Sequence, residues 1–254
     1  MTNRARALAI AALLLASLPA FAHDGDDDHQ GPQPKKAEAP MQGNHAFSFL
    51  ADTYETERLK TLQTWSQFKD ADLKFRPQKH LRTPREHMVH QSASEDIWMK
   101  NMLQIDTGMP ALPKVESKLE FIKHYAATSA KRLEQLRQKP AAWFEEKTAF
   151  FDVKRTRSWI FLRRLTHSAH HRAQLTVYLR LIGRPLYSTY GPTADTGGLY
   201  SNKAKTIYRY ENLEELLSAE QEGGRDKPLP GPGDKPPTER PDAEVPPSKE
   251  PEGK

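Results

Sequence analysis

Two histidines, His167 and His171, stand four residues apart in a stretch whose pattern is typical of an amphipathic helix. Residues four apart on a helix lie on the same face, so the two imidazoles can bind one metal ion together. Pairs at this spacing also occur on solvated helix faces that bind nothing. The pair therefore makes metal binding a hypothesis that needs further ligands.

The surroundings of the pair favour a buried or half-buried site. Apolar residues and one threonine recur near the helical period on both sides of the histidines and predict a core-facing stripe beside them. A buried imidazole needs a partner, and a metal ion would provide one. The positions of this predicted stripe are Leu162, Leu165, Ala169, Ala173, Thr176 and Val177.

Another predicted helix lies earlier in the chain. Thr83 is suited to cap it, Pro84 to occupy its first position, and Glu86 to complete a capping box with Thr83. His90 lies about two turns inside this helix, and His87 lies three residues before His90. The helix thus offers further ligands for the same metal.

The two predicted helices carry a family resemblance. From His167 the later helix reads H-x-x-x-H-R-x-Q-L-x-x-Y-L-R, and the loop after it reads Y-G-P-T-A-D. Together with the earlier histidine helix, these motifs resemble the DinB-like family, also called DinB/YfiT-like, over roughly residues 46–200. The resemblance implies an all-α four-helix bundle.

The resemblance also implies a divalent metal bound by three histidines, which in this chain are His90, His167 and His171. Two other histidines leave alternatives open. His87 is three residues from His90 and would face the same groove, and His170 is three residues from His167 and would replace His171. If they are not ligands, they are either surface residues or residues that contact and orient the ligands.

Three neutral imidazoles leave at least one coordination position for water or substrate, whereas structural zinc sites usually have four protein ligands. Imidazole binds zinc, nickel, copper and iron alike, so we expect a divalent transition metal, zinc, nickel or iron, without choosing among them. The chain contains no cysteine. This excludes thiolate metal sites, cysteine nucleophiles and thiol redox chemistry.

The resemblance implies an activity too, because DinB-like proteins include thiol transferases and isomerases that use low-molecular-weight thiols. We therefore expect a metal-dependent transferase or hydrolase acting on a small molecule or a thiol. Glu86 and Glu95 are the candidates for a general base, and Tyr190 and Asp195 are candidates for contacting a substrate. The alternative is a non-catalytic periplasmic metal-binding or stress-response protein.

The beginning of the chain predicts export. Residues 1–22 combine a basic start, a short apolar stretch and the ending Ala20-Phe21-Ala22, which is the pattern of a cleavable signal peptide. The apolar stretch is too short for a stable membrane anchor. We therefore expect a periplasmic or secreted protein without a membrane span.

Two segments predict disordered arms around a single domain. Residues 23–45 are rich in aspartate and include histidines, and residues 223–254 are rich in proline and charge. Between them, residues 46–222 carry four long stretches of helical periodicity and one short one, which argues for an antiparallel bundle with the site between facing helices. The predicted helices are 46–69, 83–104, 115–138, 155–182 and 212–220.

The charge of the chain does not indicate a nucleic-acid partner. The formal net charge is +5, but two of the arginines lie in the predicted signal peptide, and the basic residues within 154–164 are typical of a solvated helix face. The resemblance is compatible with a homodimer. Four aromatic residues would form that contact or else fold onto their own core, namely Trp143, Phe144, Phe150 and Phe151.

Overall fold

The structure, a computed structural model, describes residues 45–232, which all fall within one compact unit. Four long α-helices, two short α-helices and one hairpin are its main regular elements. In chain order they are α1 (Ser48–Ser66), α2 (Pro84–Ile97), α3 (Lys118–Arg137), α4 (Ala141–Glu145), β1 (Lys147–Phe150), β2 (Val153–Thr156), α5 (Arg157–Leu181) and α6 (Leu213–Gln221).

The predicted all-α four-helix bundle is confirmed. Helix α1 packs mainly against α3 and α5, and α2 packs against α5. The antiparallel hairpin of β1 and β2 is absent from the sequence prediction. Strands of four residues are too short for a twofold apolar period to be recognised in the sequence.

Capping residues fix the starts of the helices. Thr83 Oγ1 accepts a hydrogen bond from the Glu86 amide at 3.2 Å, and Glu86 Oε2 accepts one from the Thr83 amide at 2.8 Å. The predicted capping box of α2 is therefore formed. Ser117 and Thr156 cap α3 and α5, each by accepting a bond from an amide in the first turn.

The predicted apolar stripe of α5 is wrong at most of its positions. Leu165 is buried, whereas Leu162 is 52% exposed and Val177 is 56% exposed. The core side of α5 instead includes Arg164 and Arg172, which form ion pairs with buried glutamates. The buried apolar residues of this helix, which include Ile160, Phe161, Leu175 and Leu179, lie at other positions than the predicted stripe.

Two apolar clusters form the core, and a buried carboxylate joins them. Trp65 belongs to one cluster and Ile160 to the other. Glu95 accepts hydrogen bonds from Tyr54 Oη at 2.6 Å and from Tyr125 Oη at 2.8 Å. These two tyrosines are members of different clusters, so Glu95 lies where the clusters meet.

The four aromatic residues considered for a dimer contact are divided between core and surface. Phe144 is buried and stacks on Phe47, with ring centroids 5.4 Å apart. Phe151, at the tip of the hairpin, is 70% exposed. The homodimer stays a prediction.

Residues 223–232, which belong to the predicted tail, make hydrogen bonds with the domain. Tyr187 Oη donates to the Lys227 carbonyl at 2.7 Å, and the Gly231 amide donates to the Asp195 carbonyl at 2.9 Å. The ordered part of the chain thus extends past α6.

Residues 1–44 and 233–254 lie outside the described residues. They hold the predicted signal peptide, almost all of the predicted leader and most of the predicted tail, so these assignments stay predictions. Among the helices that the structure describes, none combines the length and the apolar character needed to cross a membrane.

Candidate metal centre

Three histidines lie together between α2 and α5. His90 comes from α2 and His167 and His171 from α5, and one ring nitrogen of each lies within 4.8 Å of the other two. His171 is buried, and the other two are half-buried. The His171 ring centroid is 4.5 Å from that of His90 and 4.5 Å from that of His167. The structure therefore brings together the three residues that the family resemblance implies as ligands.

Gln174 orients His171. Nδ1 of His171 lies 2.8 Å from Oε1 of Gln174, and because this oxygen only accepts, Nδ1 carries the proton. Nε2 of His171 consequently keeps its lone pair, and it faces the cluster, 3.2 Å from Nε2 of His167. A metal ligand needs this tautomer.

Arg164 favours the opposite tautomer in His167. Nη1 of Arg164 lies 2.9 Å from Nδ1 of His167, and a guanidinium can only donate, so Nδ1 is the acceptor. The proton of neutral His167 is then on Nε2, where it is donated to Nε2 of His171. In this arrangement the two α5 histidines are hydrogen-bonded to each other, and metal binding at Nε2 of His167 must displace that proton.

Burial lowers the pKa values of all three imidazoles. Desolvation is the largest cause for His90, whose pKa falls to about 4, and for His167, whose pKa falls to about 3. The positive charge of Arg82 lowers the pKa of His90 further, and that of Arg164 lowers the pKa of His167. The pKa of His171 is also lowered, mainly by burial. The rings are therefore uncharged at neutral pH, which is the form that binds metals.

A buried ionic network lies directly behind His167. Arg164 donates to Ser94 Oγ at 2.9 Å and approaches Glu95 Oε2 at 3.4 Å, and Arg132 donates to Glu95 Oε1 at 3.1 Å. Burial opposes ionisation of Glu95, but the two arginines and the hydrogen bonds from Tyr54 and Tyr125 together outweigh it and lower the pKa of this carboxyl. Glu95 is thus a buried counterion, and its oxygens are occupied.

Trp98 covers one side of His167. Their rings stack with centroids 5.7 Å apart and an interplanar angle of 24°. Trp98 begins a π-helical turn, Trp98–Met102, that continues α2. Such turns often occur at functional sites because they redirect side chains. Phe150 of the hairpin packs edge-on against the same indole at 5.2 Å.

The two alternative histidines have different surroundings. His87 is buried beside His171, with ring centroids 5.4 Å apart, but its nitrogens are not among the mutually close ligand atoms. Desolvation is the main reason why its pKa falls to about 4. His170 is exposed and contacts His171 through its ring edge at 5.0 Å. Geometry therefore favours His90 and His171 as ligands.

The other candidate residues have partners away from the cluster. Glu86 binds the Thr83 amide and also Nη2 of Arg76, the latter at 2.7 Å, so both of its oxygens are used. Tyr190 is 79% exposed, and the Lys60 ammonium lies over its ring at 4.8 Å. The remaining candidate, Asp195, pairs with Arg180 and accepts a bond from the Leu186 amide.

Three residues of the centre are missing from the sequence prediction. Gln174 and Arg164 lie three residues after His171 and three residues before His167, a spacing that places them beside these histidines on α5. Helical spacing would therefore have found both. Trp98 reaches His167 through the π-helical turn, which the sequence does not indicate.

The donor set fits a divalent transition metal. Three uncharged imidazoles with no thiolate suit zinc, nickel and iron, and three protein ligands are the number typical of a site with an open position.

Comparison with known proteins assigns the chain to a family. The model of the DinB family matches residues 41–198. The chain belongs to the DinB family. The matched range of this DinB-family protein includes His90, His167 and His171, so the resemblance inferred from the motifs is confirmed.

Two solved structures resemble this DinB-family protein. A DinB-like protein from Bacillus cereus is 17% identical with a TM-score of 0.50, and the alignment covers 56% of this chain and 95% of that one. A DinB-like protein from Bacillus subtilis is 14% identical with a TM-score of 0.46, covering 54% and 94%. The first of these likenesses supports the fold. The search of curated proteins finds no match.

Proposed function

We propose that this DinB-family protein binds one divalent transition metal, zinc, nickel or iron, through His90, His167 and His171. The observation that carries the proposal is the convergence of three ring nitrogens within 4.8 Å on two facing helices. The lowered pKa values of the ligands support it, because they keep the rings uncharged at neutral pH.

We further propose that the open coordination position serves a metal-dependent transferase or hydrolase reaction on a small molecule or thiol. A metal bound by three neutral imidazoles supplies Lewis acidity and lowers the pKa of a water or thiol bound beside them. The residues of the chain fix the ligand rings: Gln174 orients His171, and Trp98 stacks on His167. Rigid ligands favour a fixed open position.

One observation favours a second candidate, a metal-binding protein without turnover. The carboxylates considered as bases are engaged elsewhere, Glu86 in the capping box and Glu95 in the buried network. A metal would then act as a clip between α2 and α5. Spectra of the cobalt-substituted protein distinguish the two roles, because azide changes them only if cobalt has an exchangeable position.

The metal itself is tested by elemental analysis of the untagged chain. We expect about one equivalent of a transition metal per chain, strongly reduced in His171→Ala and retained in His170→Ala, the matched exposed neighbour. Equal metal contents in the two variants, or no metal after incubation of the parent with zinc, nickel and iron salts, would overturn the proposal.

Export is proposed from residues 1–22 alone. Its test is the N-terminal sequence of the protein purified from its source. A mature chain that begins at His23 in a periplasmic or secreted fraction supports export, and an intact N-terminus in the cytoplasm contradicts it.

A further inference from the structure

Beside the three ligands lies a fourth imidazole without a hydrogen-bond partner. His87 is only 3% exposed, and its Nδ1 is buried and unpaired within residues 45–232. Its ring contacts that of His171, with centroids 5.4 Å apart. An unpaired buried nitrogen is costly, so the site is expected to offer it a partner that the chain does not supply.

A tyrosine with a free hydroxyl adjoins His87. Tyr178 is 5% exposed, and its ring meets the His87 ring edge to face at a centroid distance of 5.4 Å. In the described part of the chain, no group hydrogen-bonds to the Tyr178 hydroxyl. Burial raises its pKa, so the hydroxyl stays protonated and able to donate.

A third donor near the cluster is Arg82. The neighbouring arginines are both paired: Arg76 binds Glu86 at 2.7 Å, and Arg85 binds Glu116 at 3.0 Å. Arg82 has no ion pair or hydrogen bond from its side chain within residues 45–232. It is exposed and directly precedes the cap of α2.

The charge of Arg82 acts on several groups around the centre. It lowers the pKa of His87, His90 and His171, and it opposes the rise in the pKa of Tyr178. Arg164, another nearby cation, is balanced by buried Glu95. Arg82 therefore contributes uncompensated positive charge on the side of the cluster where His87 and Tyr178 lie.

We propose that Arg82, His87 and Tyr178 form an anion-binding subsite that holds the carboxylate of a small substrate whose other polar group binds the metal. When the proton of neutral His87 is on Nδ1, three donors without protein acceptors lie beside a metal with uncharged ligands, and this arrangement suits an anion rather than a cation. The inference rests on the proposed function, and it specifies the substrate class as a small carboxylic acid with a second, metal-binding group.

The test uses the full chain loaded with cobalt(II) and two probe thiols. 3-Mercaptopropionate and 2-mercaptoethanol both present a thiolate to cobalt, but only the first carries a carboxylate. Absorption titrations give both dissociation constants. For the parent we expect 3-mercaptopropionate to bind at least about tenfold more tightly, as one charge-assisted hydrogen bond allows.

Variants separate the subsite from simple chelation of cobalt. Arg82→Gln and Tyr178→Phe are expected to reduce the preference for 3-mercaptopropionate by about tenfold and about threefold, leaving the affinity for 2-mercaptoethanol unchanged. Arg85→Gln is the matched control and should keep the parental preference, because Arg85 already pairs with Glu116.

The outcomes distinguish this inference from the proposed function. A preference that is unchanged in Arg82→Gln and Tyr178→Phe overturns the subsite, while cobalt binding by the same samples upholds the metal site. A chain that binds no cobalt overturns both.

Discussion

At the scale of single residues, the unusual contact is the one between Arg164 and His167. Metal-bound histidines usually donate the N–H of the ring nitrogen that does not bind the metal to an acceptor, as Nδ1 of His171 does to Gln174. His167 instead accepts a bond from a guanidinium at 2.9 Å. This contact places the proton of His167 on the nitrogen that faces the cluster and therefore opposes metal binding.

We predict that Arg164→Met raises the zinc affinity of the folded protein by about tenfold, the lower end of the effects known for groups behind metal ligands. The variant also loses an ion pair with buried Glu95, so its unfolding free energy should fall by about 3 kcal/mol. Competition with a chromophoric chelator measures the first quantity, and urea denaturation measures the second.

The matched control is Arg163→Met, because Arg163 is exposed and adjacent in sequence. It should leave zinc affinity within about threefold of the parent. Weaker zinc binding by folded Arg164→Met would show that Arg164 assists the ligand rather than opposing it.

A pH dependence follows from the lowered pKa values. Unfolding raises the pKa of His90 from about 4 and that of His167 from about 3. Both approach the ordinary histidine pKa of about 6.5. Between these limits the unfolded chain binds more protons than the folded one, so acid favours unfolding. We predict that metal-free protein keeps this stability above pH 6.5 and loses it progressively as the pH falls toward 4.

Urea midpoints of the metal-free protein between pH 7 and pH 4 measure this effect. His167→Gln removes one of the titrating groups and should flatten the profile. A parental midpoint that stays constant over the range, or an unchanged slope in the variant, would contradict the lowered pKa values.

At the scale of helices, Glu95 connects the bundle behind the metal centre. This residue of α2 accepts bonds from Tyr54 of α1, from Tyr125 and Arg132 of α3, and lies near Arg164 of α5. One carboxylate of α2 thus contacts the other three long helices. It fixes α5 relative to α2, and with it the separation of His90 from the other two histidines.

We predict that Glu95→Gln lowers the unfolding free energy by about 3 to 5 kcal/mol, because buried Arg164 loses its counterion and buried Arg132 keeps only its pair with Asp96. Tyr54→Phe, which removes a single hydrogen bond to the same carboxylate, should cost only about 1 kcal/mol. Both values come from chemical denaturation. Equal losses in the two variants would mean that Glu95 acts as an ordinary hydrogen-bond acceptor.

The helices also show what sequence reasoning can and cannot predict here. The Thr83 capping box and the spacing of His167 and His171 are local patterns, and both predictions match the structure. The core face of α5 is not predictable in the same way. Arg164 occupies a core position only because Glu95, which is distant in sequence, neutralises its charge. No local sequence pattern indicates such a partner.

At the scale of the whole molecule, the segment after α6 belongs to the folded structure. The Arg225 carbonyl accepts a bond from Arg209 Nε at 3.0 Å, and the Lys227 amide donates to Tyr187 Oη at 2.6 Å. Composition predicts a tail from residue 223, because proline, glycine and charge dominate there. The backbone groups that bind the domain do not depend on composition and leave no sequence signal.

We predict that a chain ending at Glu222 loses about 2 kcal/mol of unfolding free energy relative to the full chain, since several hydrogen bonds to residues 223–232 disappear. A chain ending at Pro232 keeps these bonds and serves as the control. Thermal and urea denaturation of the three proteins give the comparison. Identical stabilities for the two shortened chains would contradict a structural role of this segment.

The metal centre depends on the whole molecule because its ligands come from two helices far apart in sequence. X-ray absorption spectroscopy of the zinc-loaded chain tests it most directly. We expect three imidazole nitrogens at about 2.0 to 2.1 Å from zinc, completed by oxygen, and loss of this pattern in His171→Ala. Two or fewer imidazoles per zinc, or an unchanged spectrum in the variant, would contradict the three-histidine centre.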